Sequence, residues 1–177
     1  MINRELYMEQ ITPFIDKPFV KVITGIRRCG KSVVLRLIRE ELLRRGVSED
    51  YIIYMNFESF EWIDMKEAKA LYAHIREATK APGRYYILLD EIQEVTDWEK
   101  AVNAFLVDLD VDIYVTGSNS RLLSSEFSTY LAGRYVAFHI MTLSFREYLL
   151  FHDLPLTISV SDRKTEFLKY LRMGGFP

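Results

Sequence analysis

At 177 residues, 49% hydrophobic and 27% charged, the chain has the size of one α/β domain, burying roughly 70% of its unfolded surface, and is too short for two full ones. A formal charge of −2 carries no global signature of nucleic-acid binding, and a single cysteine, Cys29, excludes an internal disulfide. MINRELYMEQ has no apolar h-region and no run approaches the ~20 residues that span a bilayer, so the expectation is a soluble, cytoplasmic protein with no membrane partner.

The first predicted strand is Phe19-Val-Lys-Val-Ile-Thr24, β-branched and apolar as a buried strand is. It runs into Gly25-Ile-Arg-Arg-Cys-Gly-Lys-Ser32, whose spacing G-x-x-x-x-G-K-[ST] is that of a loop wrapping a nucleotide's phosphates. In a chain of this length such a match arises by chance on the order of one time in a hundred. A helix over about 31–45 follows at once, with Val34, Leu35, Ile38 and Leu42 on one face and Gly46 as its C-terminal stop. Glu40 with Arg44 and Glu41 with Arg45 are spaced as i, i+4 ion pairs. The alternation continues with a strand over 51–57, a helix over 64–80, a turn at Ala81-Pro-Gly83 and a strand Tyr85-Tyr-Ile-Leu-Leu-Asp90-Glu91. A helix over 97–108, a strand Asp112–Thr116, a helix over 120–132 and a strand over 135–140 complete it. This rhythm predicts a parallel sheet with helices on both faces and ligands at the carboxyl ends of the strands. Beyond Met141 the character changes, to helical stretches at 145–151 and 163–173, and the closing turn Gly174-Gly-Phe-Pro177 reads as a fragment of something longer.

The residue types in the loop follow from phosphate chemistry. Gly25 and Gly30 allow close backbone approach, Lys31 supplies a point charge to the β- and γ-phosphates, and the Ser32 hydroxyl suits Mg²⁺. The helix that starts there adds the positive end of its dipole. The expected nucleotide-binding residues are Gly25, Ile26, Arg27, Arg28, Cys29, Gly30, Lys31, Ser32 and Val33. Hydrolysis needs two more acids, one on the metal side and one to activate water. Asp90 and Glu91, closing an apolar strand, are assigned those two roles, the alternative being two solvated acids. If the strand 112–116 lies between the first and third strands, Ser118 and Asn119 face the γ-phosphate; an ordinary helix cap at Ser118–Ser120 competes with that reading. Arg134, just before the last strand, is the candidate for a cation presented to a neighbouring subunit, with Arg121 as rival and a surface ion pair as the plain alternative. His74, His139 and His152 lack metal-ligand spacing, and Trp62 and Trp98 read as packing anchors.

GIRRCGKS, YYILLDEIQ, VTGSNS, LAGRY, LSFREYL and GGFP together resemble a group of prokaryotic AAA-type P-loop ATPases, archaeal-ATPase-like, that carry a further C-terminal domain of poorly defined function. The resemblance spans residues 19–177 and implies a three-layer α/β core with strand order 5-1-4-3-2. It implies Gly25–Ser32 as Walker A, Asp90 and Glu91 as Walker B and Ser118–Asn119 as sensor 1, with Arg134 as arginine finger in a homo-oligomer. The expected division is an ATPase core over 1–140 and the start of a small helical subdomain or linker over 141–177. The combined expectation is Mg²⁺-dependent ATP hydrolysis, ATP being preferred on the resemblance and because no [NT]KxD guanine-reading motif is present. An ATP-gated interaction module with negligible hydrolysis, or a DNA-handling motor, are the alternatives. The protein or nucleic-acid partner is left unidentified.

Overall fold

Strand burial sets the architecture. The computed structural model describes residues 4–118, 122, 130–157 and 159–176. Strands β1 (Val20–Gly25), β2 (Ile52–Asn56), β3 (Tyr85–Asp90), β4 (Val111–Gly117) and β5 (Tyr135–Ile140) form one parallel sheet in the order β2-β3-β4-β1-β5. Read from the other edge, that is the 5-1-4-3-2 order implied by the resemblance. Every residue of β1 and β3 is buried, as strands covered on both faces by helices must be. Alternate side chains feed two separate cores. Val20, Val22, Ile87, Leu89, Ile113 and Val115 point to the face packed by helices α3 (Ala68–Ala78) and α4 (Trp98–Asp108). Ile23, Tyr86, Leu88, Tyr114 and Phe138 point to the other, packed by α1 (Glu5–Ile11) and α2 (Lys31–Arg44).

The expected elements are present among the described residues, with three differences. The helix expected over 64–80 is two pieces, a tight 3-10 stretch Phe60–Met65 and then α3. Between them Lys66 and Glu67 leave helical geometry because their backbone is satisfied elsewhere: Thr96 N–H donates to the Lys66 carbonyl at 2.9 Å and Ala68 N–H to the Thr96 carbonyl at 3.1 Å. On α2, Arg44 and Arg45 both pair with Glu41, at 2.7 and 2.8 Å, rather than one each with Glu40 and Glu41. One carboxylate on an exposed surface can accept both guanidinium groups, and Glu41's carboxyl is held below its ordinary range by those hydrogen bonds. Helix α1, seven residues ahead of the first expected strand, is an addition. Most of the helix expected over 120–132, and the rival Arg121, lie outside the described residues.

Residues 141–176 contribute α5 (Phe145–Phe151) and α6 (Val160–Met173), held together by an aromatic cluster of Phe145, Tyr148, Phe167 and Tyr170 with centroids 5.1–6.2 Å apart. Ser144 and Glu147 cap α5 reciprocally, and the Ser159 side chain caps α6. No described helix is long and apolar enough to cross a membrane.

Candidate functional site

At the carboxyl end of the sheet, β1 delivers the chain into the glycine loop and α2 leads it away. Gly25 is required by close approach: a Cβ there would lie 2.4 Å from the Ile140 carbonyl oxygen and 2.6 Å from Cys29 Sγ. Gly30 is required by conformation, with φ +102°, the left-handed region that glycine enters without penalty. It stands at the N-cap of α2, where no side chain caps the helix. Helices α5 and α6 have serine caps, whereas α1, α2, α3 and α4 have no side-chain cap; α2 is the one of these that starts at the glycine loop, so the positive end of its dipole faces the space in front of that loop.

That space is a pair of adjoining hollows of 330 and 410 Å³. Lys31, Arg27, Glu58 and Glu91 line both, Gln93 and Ser118 only the first, and Arg28, Gly30, Ser32 and Val33 only the second. Lys31 is 4% exposed, its ammonium 3.2 Å from Glu91 Oε1 and 3.4 Å from the Ile26 carbonyl. Asp90 is fully buried behind them, accepting from Thr116 Oγ1 at 2.5 Å and from Tyr54 OH at 3.1 Å. Burial, with the Asp90 charge beside it, pushes the Tyr54 phenol well above its usual range and keeps it a donor. Thr116 Oγ1 in turn accepts from the Glu91 backbone N–H at 2.9 Å. One hydroxyl on β4 therefore fixes both acids of β3. It sets the turn that throws Glu91 into a left-handed conformation, φ +53°, and its side chain toward Lys31.

The strand order brings Lys31, Ser32, Glu91 and Ser118 to one pair of hollows, although residues as far as 87 apart in sequence are involved. β4 lies between β1 and β3, the condition on which Ser118 was expected to face the phosphate. Asn119 lies outside the described residues. Arg134 is not brought to its own chain's hollow. It precedes β5 beside Val20, the first residue of β1, and about 16 Å of sheet separates that level from the glycine loop. There its Nη1 donates to Asn103 Oδ1 at 3.0 Å. Cys29 is fully buried under the loop, and burial pushes its thiol up.

Sequence reasoning did not single out Glu58, Tyr54, Thr116, Gln93 or Arg4 as residues of this site. Gln93 Nε2 donates to Glu91 Oε2 at 2.5 Å, while its own Oε1 is buried with no hydrogen-bond partner among the described residues. Nothing in the pattern marks it. Arg4, from α1's flank, donates through Nη1 to the Cys29 carbonyl in the glycine loop at 3.0 Å. Its signal is the helical spacing Arg4, Tyr7, Ile11, which places three inward-facing side chains on one stripe.

For metal, the described residues gather no group of three or more His, Cys, Asp or Glu side chains. A magnesium site that takes one or two protein oxygens, with waters and phosphate oxygens completing it, fits Ser32 in the hollow and Asp90 behind it.

Known proteins resemble this chain in sequence and in fold. A family model described as an AAA domain matches residues 17–149. An uncharacterised protein of Haemophilus influenzae is 43% identical over 180 residues, covering all of this chain and 44% of that protein. An uncharacterised protein of Methanocaldococcus jannaschii is 35% identical, covering all of this chain and 38% of its own length. The chain thus spans about two fifths of these relatives. Among solved structures, AMPPCP-bound DnaA from Aquifex aeolicus is similar with a TM-score of 0.55 at 17% identity, covering 99% of this chain and 63% of that one. Cdc6p from Pyrobaculum aerophilum gives 0.58 at 13% identity, covering 85% and 48%. Orc1 of Aeropyrum pernix in complex with DNA gives 0.54 at 17%, covering 94% and 50%. At such identities these structures share the fold.

Proposed function

This chain belongs to the AAA domain family, and we propose that it binds Mg²⁺-ATP and hydrolyses the γ-phosphate. The observation that carries the reading is the 3.2 Å approach of Lys31 Nζ to Glu91 Oε1 across a hollow fronted by the uncapped start of α2. A cation, a carboxylate and a helix N-terminus converge where a triphosphate has to sit.

In this reading the loop backbone and Lys31 hold the β- and γ-phosphates, Ser32 and Asp90 hold the metal side, and Ser118 contacts the γ-phosphate. Mg²⁺, when bound, neutralises charge developing on the phosphate oxygens. Glu91 is the base. Its two oxygens are engaged by Lys31 and Gln93. Phosphate competes for Lys31, which leaves Glu91 Oε1 to accept a proton from the attacking water while Gln93 keeps the carboxylate in place. Arg134, at the far end of the sheet, acts only on a neighbouring copy. Residues 1–140 form the ATPase core and 141–177 begin a helical subdomain or linker. The process driven belongs to a whole protein of which this chain's relatives show more than twice the length.

The test is phosphate release from Mg²⁺-ATP over a range of protein concentrations, with Glu91→Gln and Lys31→Ala alongside. Turnover in the wild type, a loss of roughly 10²–10⁴-fold in Glu91→Gln with ATP binding kept, and loss of binding in Lys31→Ala are expected. A rate per subunit that rises with concentration supports Arg134 acting in trans. Wild-type binding with turnover equal to that of Glu91→Gln at every concentration replaces the hydrolase with an ATP-gated interaction module.

A further inference from the structure

We infer that Arg4 is a positioning residue for the glycine loop and the link through which occupancy of that loop is felt by the C-terminal helices. The inference rests on the nucleotide-binding reading above. Arg4 is 2% exposed, and its five-donor fork reaches three separate parts of the chain. Nη1 donates to the Cys29 carbonyl at 3.0 Å, immediately before the N-cap of α2. Nη2 donates to the Met141 carbonyl at 2.9 Å, just beyond β5. Nε pairs with Glu147 Oε1 at 2.6 Å, and the guanidinium lies 4.7 Å over the Tyr7 ring, whose hydroxyl accepts from the Met141 N–H at 3.0 Å.

Glu147 gives the contact its consequence. Its other oxygen, Oε2, accepts from the Ser144 N–H at 2.8 Å and completes the cap of α5. One carboxylate therefore holds the helix start on one side and Arg4 on the other. Gly30 lies beside the same guanidinium, since a Cβ added there would come within 3.1 Å of Arg4 Nη1. Phosphate binding fixes the loop peptides around residues 29 and 30. Any shift or stiffening there reaches α5 through two charge-assisted contacts, one buried and one part-buried.

A planar fork is needed for three acceptors in different directions, so lysine cannot replace it. Glu147→Gln isolates the link, because glutamine at the third helical position also closes a capping box and leaves α5 capped. The experiment is amide hydrogen exchange of the segments 25–33 and 145–151, with and without Mg²⁺-AMPPCP, in wild type, Arg4→Gln, Arg4→Lys and Glu147→Gln. In the wild type both segments slow with nucleotide, α5 by roughly fivefold or more. In Glu147→Gln the loop still slows and α5 no longer responds. Arg4→Gln and Arg4→Lys lose the α5 response and bind AMPPCP roughly tenfold more weakly. If Arg4→Gln fails to fold, Glu147→Gln decides. A merely structural role lowers protection equally with and without nucleotide and leaves the response of α5 intact. That result, or a wild-type loop that slows while α5 does not, overturns the inference alone. A wild-type loop that ignores AMPPCP overturns the nucleotide reading and the inference with it.

Discussion

The two ends of the sheet both bury a lysine against a carboxylate, and they could hardly be more different in how the charge is finished. At the amino end Lys21 is wholly buried. It pairs with Asp112 and donates to the Lys17 carbonyl at 2.8 Å, and its ammonium lies 5.3 Å from the Tyr114 ring centroid. The Asp112 Oδ2 accepts from Tyr114 OH and the Asp16 N–H, each at 2.8 Å, and Tyr86 OH donates to Asp16 Oδ1 at 2.8 Å. Burial lowers the Lys21 pKa against the opposing pull of Asp112, and it pushes the Tyr86 phenol up to about 12. The network is closed. At the carboxyl end Lys31 has longer contacts, an uncapped helix start beside it and a hollow in front, and Gln93 keeps an acceptor without a donor among the described residues. Saturated burial of charge is architecture, whereas buried charge with spare valence beside a cavity is a site waiting for a ligand.

The sharpest way to break this contrast is to exchange the two lysines' fates. Lys21→Met leaves Asp112 charged and unpaired, so urea unfolding is expected to show a loss of about 3–5 kcal/mol, with AMPPCP affinity unchanged wherever the chain is folded. Lys31→Ala removes a buried cation that the fold does not need, and a change of less than about 1 kcal/mol is expected together with loss of nucleotide binding. Equal stability losses in the two variants would erase the distinction. A smaller effect is expected from Gly117→Ala, where a Cβ would lie 2.1 Å from Gln93 Oε1 and 2.6 Å from Leu122 Cγ. Overpacking should cost about 1–3 kcal/mol, and displacement of Gln93 should slow phosphate release while AMPPCP still binds. Unchanged turnover would show that Gln93 does not steady Glu91. The mildest test concerns the floor of the open end. Cys29 is buried and its thiol pushed up, so iodoacetamide at pH 8 should modify the native chain roughly tenfold or more slowly than the urea-unfolded one. Rapid native alkylation would mean that the loop opens on its own.

The contrast also explains what the sequence disclosed. Strand 19–24 and the glycine spacing are local signals, and so are the apolar runs ending at Asp90 and Thr116. Local periodicity together with the resemblance was enough for the element order and the sheet. The Thr116 hydroxyl between Asp90 and Glu91 was not legible, because it depends on β3 and β4 being neighbours. Nor was the left-handed turn at Glu91, since an aspartate-glutamate pair at a strand end does not announce φ +53°. The helix expected over 64–80 divides because propensity does not register the Thr96 bridge that unwinds Lys66 and Glu67. The spacing Arg4, Tyr7, Ile11 marks an inward stripe, but what Arg4 holds was not legible, because its partners Met141 and Glu147 lie 137 and 143 residues away.

That last separation governs how the domain is made. β1 is flanked by β4 and β5, and Gly25 packs on the Ile140 carbonyl, so the glycine loop has no wall until the chain has been synthesised to the last strand. At about 5–20 residues per second, roughly 7–30 s pass between the emergence of Arg4 and that of Glu147. For most of that interval the ribosome holds a nascent chain in which β1 is present and its sheet neighbour β5 is still missing, and on the proposed reading nucleotide can become a folding partner only after that final strand docks.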